Sequence, residues 1–326
     1  MPYFDSTYTS GVIATREKFL LKEKIVRLCE LSAEEGFRVL LESGFGGGAE
    51  NVTNMYEYET LIAAEEERVD EFIRQYAPNE ALQAYLLSSR DFHNAKALTK
   101  AAYLGVSSQR LLAPMGLIPV DELSVFVENG DFEGLKARNA FLGEACEEAR
   151  KLLEENPSGS ALGAIFEKAA YRYLWKMAKG NSVLKKLLTA KADMTNILTA
   201  LRSDSAEEAS GKYLPVGKLQ ESELAVLFEQ DADKIKTAFA KTPYAEFVSL
   251  CLLDKQRGLP MTEAEKIVGG YDVSYFSKRK YELEKSEPFL YYVYRRRIEN
   301  ANVRIVFACL FAGLNEHEIK KRLRAF

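Results

Sequence analysis

Residues 291–314 read YYVYRRRIENANVRIVFACLFAGL, and versions of this stretch occur twice more upstream. Aligned on Asn302, an acid stands three residues before (Glu299), a base two after (Arg304) and a glycine eleven after (Gly313). Residues 85–105 read YLLSSRDFHNAKALTKAAYLG and place Asp91, Lys96 and Gly105 at the same intervals around Asn94. Residues 187–204 read LLTAKADMTNILTALRSD and place Asp193 before Asn196, but Leu198 stands where the base was and Glu207 where the glycine was. Of twelve Asn in the chain, only these three follow an acid at that interval, and they lie 102 and 106 residues apart. Recurrence at a fixed long period marks a repeated structural unit. It divides the chain into repeats 1–105, 106–207 and 208–326.

The segments around these motifs are helical in pattern. Thr9–Leu31 carries apolar residues at helical intervals. Ser32 with Glu35 is a capping-box pair opening a helix to Glu42. Ser43–Gly48 is a glycine-rich loop, followed by an amphipathic helix over Tyr56–Tyr76. Asn79 caps a long helix, Glu80–Tyr103, with Gly105 as its C-terminal stop. Asp121–Glu128, Phe132–Glu155, Ser160–Lys179 and Ser182–Ser203 follow, the last capped by Asn181. Ser222–Gln230, Ala232–Ala240 and Pro243–Lys255 read as short helices, the last with proline at its first position. Thr262 with Glu265 opens a helix to about Lys285, Pro288 starts the third motif helix, and Asn315 caps Glu316–Arg324. No segment of useful length alternates with period two, so the fold class is all-α.

Composition narrows the function. A chain of 326 residues can bury one sizeable core or several smaller ones. A net charge of −4 argues against a general nucleic-acid binder, so no nucleic acid is expected as partner. The four scattered Cys have no paired spacing and fit reduced thiols in a cytosolic protein. The start MPYFDSTYTS has no basic and apolar regions of a signal peptide. The longest clean apolar run, Ile305–Leu314, is about half the ~20 residues that a membrane span requires.

Catalytic chemistry finds no foothold. His93 and His317 are the two histidines, and neither has a Cys, His or acid at metal-ligand spacing. The SGFGGG loop lacks the Lys-Ser/Thr ending of a phosphate-binding loop and follows no strand pattern. No nucleophile elbow, kinase set or dinucleotide fingerprint is present. Catalytic residues, metal, cofactor and small-molecule substrate are therefore all expected to be absent. Glu65–Glu67 and Glu147–Glu148 read as solvated helix faces. Arg295–Arg297, Arg304 and Lys320–Arg324 make the C-terminal end basic, which suits an acidic protein partner, a headgroup-proximal surface or a plain solvated face.

Two readings of the repeated motif stay open. An Asn and an acid buried between helices must be hydrogen-bonded and would fix register, closing each helical unit. Alternatively the polar residues of three copies line a shared cavity that grips a partner. The motif set is Asp91, Asn94, Lys96, Asp193, Asn196, Glu299, Asn302 and Arg304.

At DFHNAKALTKAAYLG (91–105) and IENANVRIVFACLFAGLNEHEIKKRL (298–323) the chain resembles the C-type subunits of the archaeal and bacterial A/V-type ATPases (ATP synthases), which are related to the d-type subunits of the eukaryotic vacuolar proton ATPase. Length, helical pattern and repeat number extend the resemblance over the whole chain. It implies three similar helical subdomains arranged around a pseudo-threefold axis as a funnel. It also implies a non-catalytic rotor subunit at the cytoplasmic face of the membrane, held peripherally through the rotor ring. Its partners would be rotor ring and central stalk subunits, in ATP-driven or ATP-synthesising transport of protons or sodium ions. The second motif copy departs from the pattern. The alternative from a different class is a free-standing helical scaffold or adaptor that binds peptides or proteins along a concave face.

Overall fold

In the computed structural model every regular element is a helix, across the described residues 11–14, 22–47, 52–114, 116–229, 231–282 and 286–324. The all-α expectation holds throughout. Of the helix expected over 9–31, residues 11–14 are helical and α1 spans Lys22–Leu28; residues 9–10 and 15–21 lie outside the described set. α2 (Ala33–Glu42) opens on the capping box of Ser32 and Glu35. A short 3₁₀ turn, Met55–Glu57, leads into α3 (Tyr58–Tyr76).

The long helix expected over 80–103 is instead two, α4 (Glu80–Leu87) and α5 (Ser89–Leu104). The interruption falls at buried Ser88, where the Asp91 amide bonds Ser88 O three residues back. α6 is Val120–Asn129. The single helix expected over 132–155 is likewise split into α7 (Phe132–Arg138) and α8 (Ala140–Glu155). Asn139 is extended between them, and its side chain accepts the Leu142 amide. A short polar side chain that bonds nearby backbone favours a cap over a helix interior, and here it wins.

α9 (Gly159–Met177) and α10 (Ser182–Arg202) follow, capped by Ser158 and Asn181. Then come α11 (Ala206–Ser210), α12 (Glu221–Ala225) with a 3₁₀ turn, α13 (Ala232–Phe239) and α14 (Ala245–Gln256). Pro243 is not the first helical residue as expected. Thr242 Oγ1 accepts the Tyr244 amide, and the helix starts two residues after Pro243, at Ala245. α15 (Thr262–Ser277) ends well before residue 285. α16 (Glu287–Phe311) and α17 (Glu316–Arg322) close the described chain, the latter on a capping box from Asn315 and Glu318.

Packing divides the chain into two units, 1–79 with 265–326, and 80–264. The first is built from both sequence ends. α16 lies along α3 and also meets α1, α2 and α17. Its core gathers Leu28, Phe37, Leu61 and Ile62 with Val303, Val306 and Phe307. Aromatic pairs continue the seam: Tyr58 stacks on Phe307 at 5.2 Å and Phe72 on Phe289 at 5.4 Å. The buried Phe72, Phe289 and Phe307 each contribute about 1.5–3 kcal/mol.

The second unit has two centres. α5 packs against α6, α8 and α9 around Phe92, Leu98, Leu123, Leu135, Leu142 and Phe166. α10 packs against α11, α12 and α14, with Leu187, Ile197, Leu201, Leu224 and Val248 buried. In each of the three settings the helix carrying the acid–Asn motif packs against several of the others.

All four Cys are free and buried. Burial pushes the Cys29 thiol from 9.0 to about 11 and those of Cys146 and Cys251 to about 12. The thiolate is the reacting species, so at pH 8 the folded chain should show almost no reaction with an aromatic disulfide reagent. In urea all four thiols react. Fast labelling of the folded chain would contradict this burial. A folded pKa above the unfolded one also sets the sign of linkage: the thiols' contribution to stability is intact below pH 9 and is lost as pH rises toward 11–12.

Candidate functional site

The three motif asparagines make the same contact. The Asn94 side chain accepts the Ala113 amide at 2.7 Å and donates Nδ2 to Ala113 O at 2.8 Å. Asn196 does this to Leu214, at 2.7 and 3.1 Å. Asn302 does it to Arg324, at 2.8 and 3.2 Å. Each carboxamide thus pairs both polar groups of one backbone residue, 18 to 22 positions further along the chain. All three side chains are buried. This two-bond clasp pins the loop after α5 in the first copy, and the segments beyond α11 and α17 in the second and third.

The acid three residues earlier extends the clasp in the first two copies. Asp91 accepts the amides of Leu117 at 2.9 Å and Ile118 at 3.2 Å. Asp193 accepts those of Lys218 at 2.7 Å and Leu219 at 3.0 Å, and also the Tyr244 hydroxyl at 2.7 Å. Both carboxylates are fully buried, which requires such donors, because a carboxylate removed from water must replace its hydration with hydrogen bonds. The backbone comes this close because Gly116 and Gly217 precede the donors. A Cβ at Gly116 would overlap Asp91 Oδ1, and one at Gly217 would overlap Asp193 Oδ1. The clasped segments are themselves a repeat, APMGLI at 113–118 and LPVGKL at 214–219. That hexapeptide is the signal in the sequence that locates the second half of the site.

The third acid has a different partner. Glu299 accepts Nη1 of Arg296 at 2.7 Å, and Arg296 Nη2 donates to Glu65. Glu65 also accepts the Gly46 amide at 3.1 Å and Arg68 Nη1 at 2.9 Å. Glu65, Arg296 and Glu299 are all buried, so α3 and α16 are joined by an internal charge network. Glu65 therefore does not lie on a solvated face as expected. Its place among the buried residues Leu61, Ile62, Val69 and Phe72 at helical spacing was the legible sign. Much of the basic set is buried or ion-paired, while Lys321 and Arg322 are exposed. Arg295 and Arg296 are buried, Arg304 pairs with Glu59 and Glu66, and Lys320 pairs with Glu30 and Glu316.

The remaining motif positions differ between copies for local reasons. Arg304 reaches across to acids of α3, Lys96 lies within electrostatic range of Glu167, and Leu198 is simply buried. Gly105 and Gly313 both take left-handed backbone (φ 64° and 72°), with the next amide bonded back to Ala101 O and Cys309 O respectively. This is the helix stop that glycine alone adopts without strain. α10 ends instead in extended backbone at Ser203, so no left-handed residue is needed and Glu207 fits its place. His93, exposed, shares a hydrogen bond with Leu111 O at 2.9 Å, and Arg90 donates to Pro114 O at 2.9 Å.

The clasps spend their hydrogen-bonding capacity on backbone, which suits them to hold loops rather than to transform a substrate. The three held segments differ in chemistry. The first exposes Leu104, Val106 and Leu111, the second Asp204, Glu207 and Glu208, and the third Lys321 and Arg322. Among the described residues no group of three His, Cys, Asp or Glu is placed to hold a metal ion. No described helix is long and apolar enough to cross a membrane.

Comparison with known families gives a match to the one described as ATP synthase (C/AC39) subunit, over residues 10–322. Among curated proteins there is no match.

Proposed function

The chain belongs to the ATP synthase (C/AC39) subunit family, and from that premise we propose that it is the non-catalytic rotor subunit of a V/A-type ATPase, coupling the central stalk to the membrane-embedded rotor ring. The observation that carries the reading is the extent of the family match, which takes in all three motif helices. Partners within the ATPase follow from membership, and ring and stalk subunits are the specific ones proposed. The protein is assigned to the cytoplasmic face, in the service of proton or sodium transport. Three helical subdomains about a pseudo-threefold axis, forming a funnel, is the arrangement proposed for the repeats 1–105, 106–207 and 208–326.

A part that passes torque between two others needs stiff joints and broad surfaces rather than a reaction centre. Buried side-chain clasps from α5, α10 and α16 onto the segments that follow them supply such joints, since packed and fully hydrogen-bonded interiors deform little. In this reading Asp91, Asn94, Lys96, Asp193, Asn196, Glu299, Asn302 and Arg304 serve by holding loops and helices in place.

The test uses the native complex. Membranes from cells carrying a tagged copy are solubilised in mild detergent and the tag is captured. Ring and stalk subunits should co-purify with the chain. Its recovery free of every ATPase subunit, from membranes that retain an active ATPase, would overturn the proposal.

A further inference from the structure

The loop held by the first clasp is firmly tied and is the most apolar of the three. Between Ala101 and Val120 the chain has one base, Arg110, and no acid. Asp91, Asn94, His93 and Arg90 together fix its backbone at Leu111, Ala113, Pro114, Leu117 and Ile118. Yet its side chains face outward: Leu104 is 54% exposed, Val106 58% and Leu111 61%. Tyr103, Leu117 and, on α6, Val125 add to the same exposed set. Folding alone does not call for a rigid backbone that displays aliphatic side chains to water. A binding surface does, because a pre-organised loop loses little entropy on association.

Beside this loop, between the end of α5 and α6, runs a groove of about 440 Å³. Leu98, Ala101, Val106, Leu112 and Val120 line it together with the polar Ser107, Ser108, Gln109 and Ser124, and Asp121 and Glu128 stand on its α6 side. Neither carboxylate enters an ion pair among the described residues, whereas Glu122 between them pairs with Arg138. Glu128 lies in the last turn of α6, where Arg150 Nη2 donates to the Val127 carbonyl at 2.6 Å. Aliphatic side chains beside two carboxylates that enter no ion pair among the described residues are complementary to a partner face that combines aliphatic side chains with a cation.

We propose that this groove and the loop at 103–117 dock a helix of another subunit of the same ATPase. That helix presents aliphatic side chains on one face and a Lys or Arg placed to meet Asp121 and Glu128. The proposal rests on the family reading for the origin of its partner. It does not depend on whether that partner is ring or stalk.

Two measurements on the whole complex test it. A photo-crosslinking benzoylphenylalanine replaces Leu111 in the tagged chain, membranes are irradiated, and the crosslinked peptide is sequenced by mass spectrometry. The expected product is a helical segment of another ATPase subunit bearing aliphatic residues and a Lys or Arg. A crosslink to lipid, to a second copy of this chain, or to a segment without a base overturns the docking site. In parallel, a chain with Val106→Glu, Asp121→Lys and Glu128→Lys is captured as above. All three are exposed positions, so the thermal midpoint should stay within about 2 °C of wild type. Recovery of the crosslinked partner at moderate salt should fall about tenfold or more. Unchanged recovery with the variant, where wild type recovers the complex, sinks the docking site and leaves the family role standing. Wild type that recovers no ATPase subunit removes both.

Discussion

Replacing Arg296 with Met should cost about 3–5 kcal/mol of stability, among the largest single-residue effects in the chain. Arg296 is the cation that joins Glu65 of α3 to Glu299 of α16, and all three side chains are buried. Removing it leaves two carboxylates inside the packed unit. Arg68, half-exposed, and the Gly46 amide reach Glu65 and offset part of the loss there. The urea midpoint should fall while the slope stays near wild type, because the surface exposed on unfolding hardly changes. A triple variant, Arg296→Met with Glu65→Leu and Glu299→Leu, should be more stable than the single one, since no uncompensated charge remains. A single variant that unfolds like wild type at pH 7 would show that the network contributes nothing to stability.

The second large effect is expected at Gly217. An alanine there drives its Cβ into Asp193 Oδ1, with Asn196 Nδ2 at 3.4 Å behind it. Asp193 cannot step aside without giving up the Lys218 and Leu219 amides and the Tyr244 hydroxyl. Overpacking of about 1–3 kcal/mol adds to the weakening of hydrogen bonds to a charged group, about 1.5–3 kcal/mol. The sum, about 2.5–6 kcal/mol, should lower the melting midpoint by roughly 5–24 °C. Hydrogen exchange gives a local check, with the Leu214, Lys218 and Leu219 amides losing protection first. Gly116→Ala should act alike through Asp91. Gly163 is the control: it lies in α9 with open space where a Cβ would go, and alanine there should stabilise by up to ~1 kcal/mol. Equal melting of Gly217→Ala and Gly163→Ala would mean that the clasped loop is freer than its contacts imply.

The sequence showed some of this architecture directly and hid the rest for physical reasons. Helix type was legible because capping residues and apolar spacing agree at Ser32, Asn181 and Asn315. The interruptions at Ser88 and Asn139 were not. A Ser or Asn inside an apolar-periodic run is compatible with an unbroken helix, and only tertiary packing decides that it is not. The Asp/Glu–Asn recurrence was visible as spacing along the chain. What it binds was not, because backbone groups have no sequence signature; Pro-x-Gly at 114–116 and 215–217 was the one available pointer. The charges misled most. Glu65 and Arg296 look like surface residues until α3 and α16 are seen to face each other with the pair between them.

That α3 and α16 share one core has a consequence for how the chain is made. During synthesis the first 79 residues leave the ribosome long before their packing partner at 287–311 exists. The segment 80–264 has its own internal contacts and can fold as it emerges. The apolar faces of Phe37, Leu61, Ile62 and Phe72 stay unsatisfied until α16 is released. A nascent chain stalled before residue 287 should therefore bind holdase chaperones through its N-terminal helices, and completion of α16 should release it. The same order makes the last long helix a checkpoint: a truncated product cannot hide its beginning, and is marked for degradation by it.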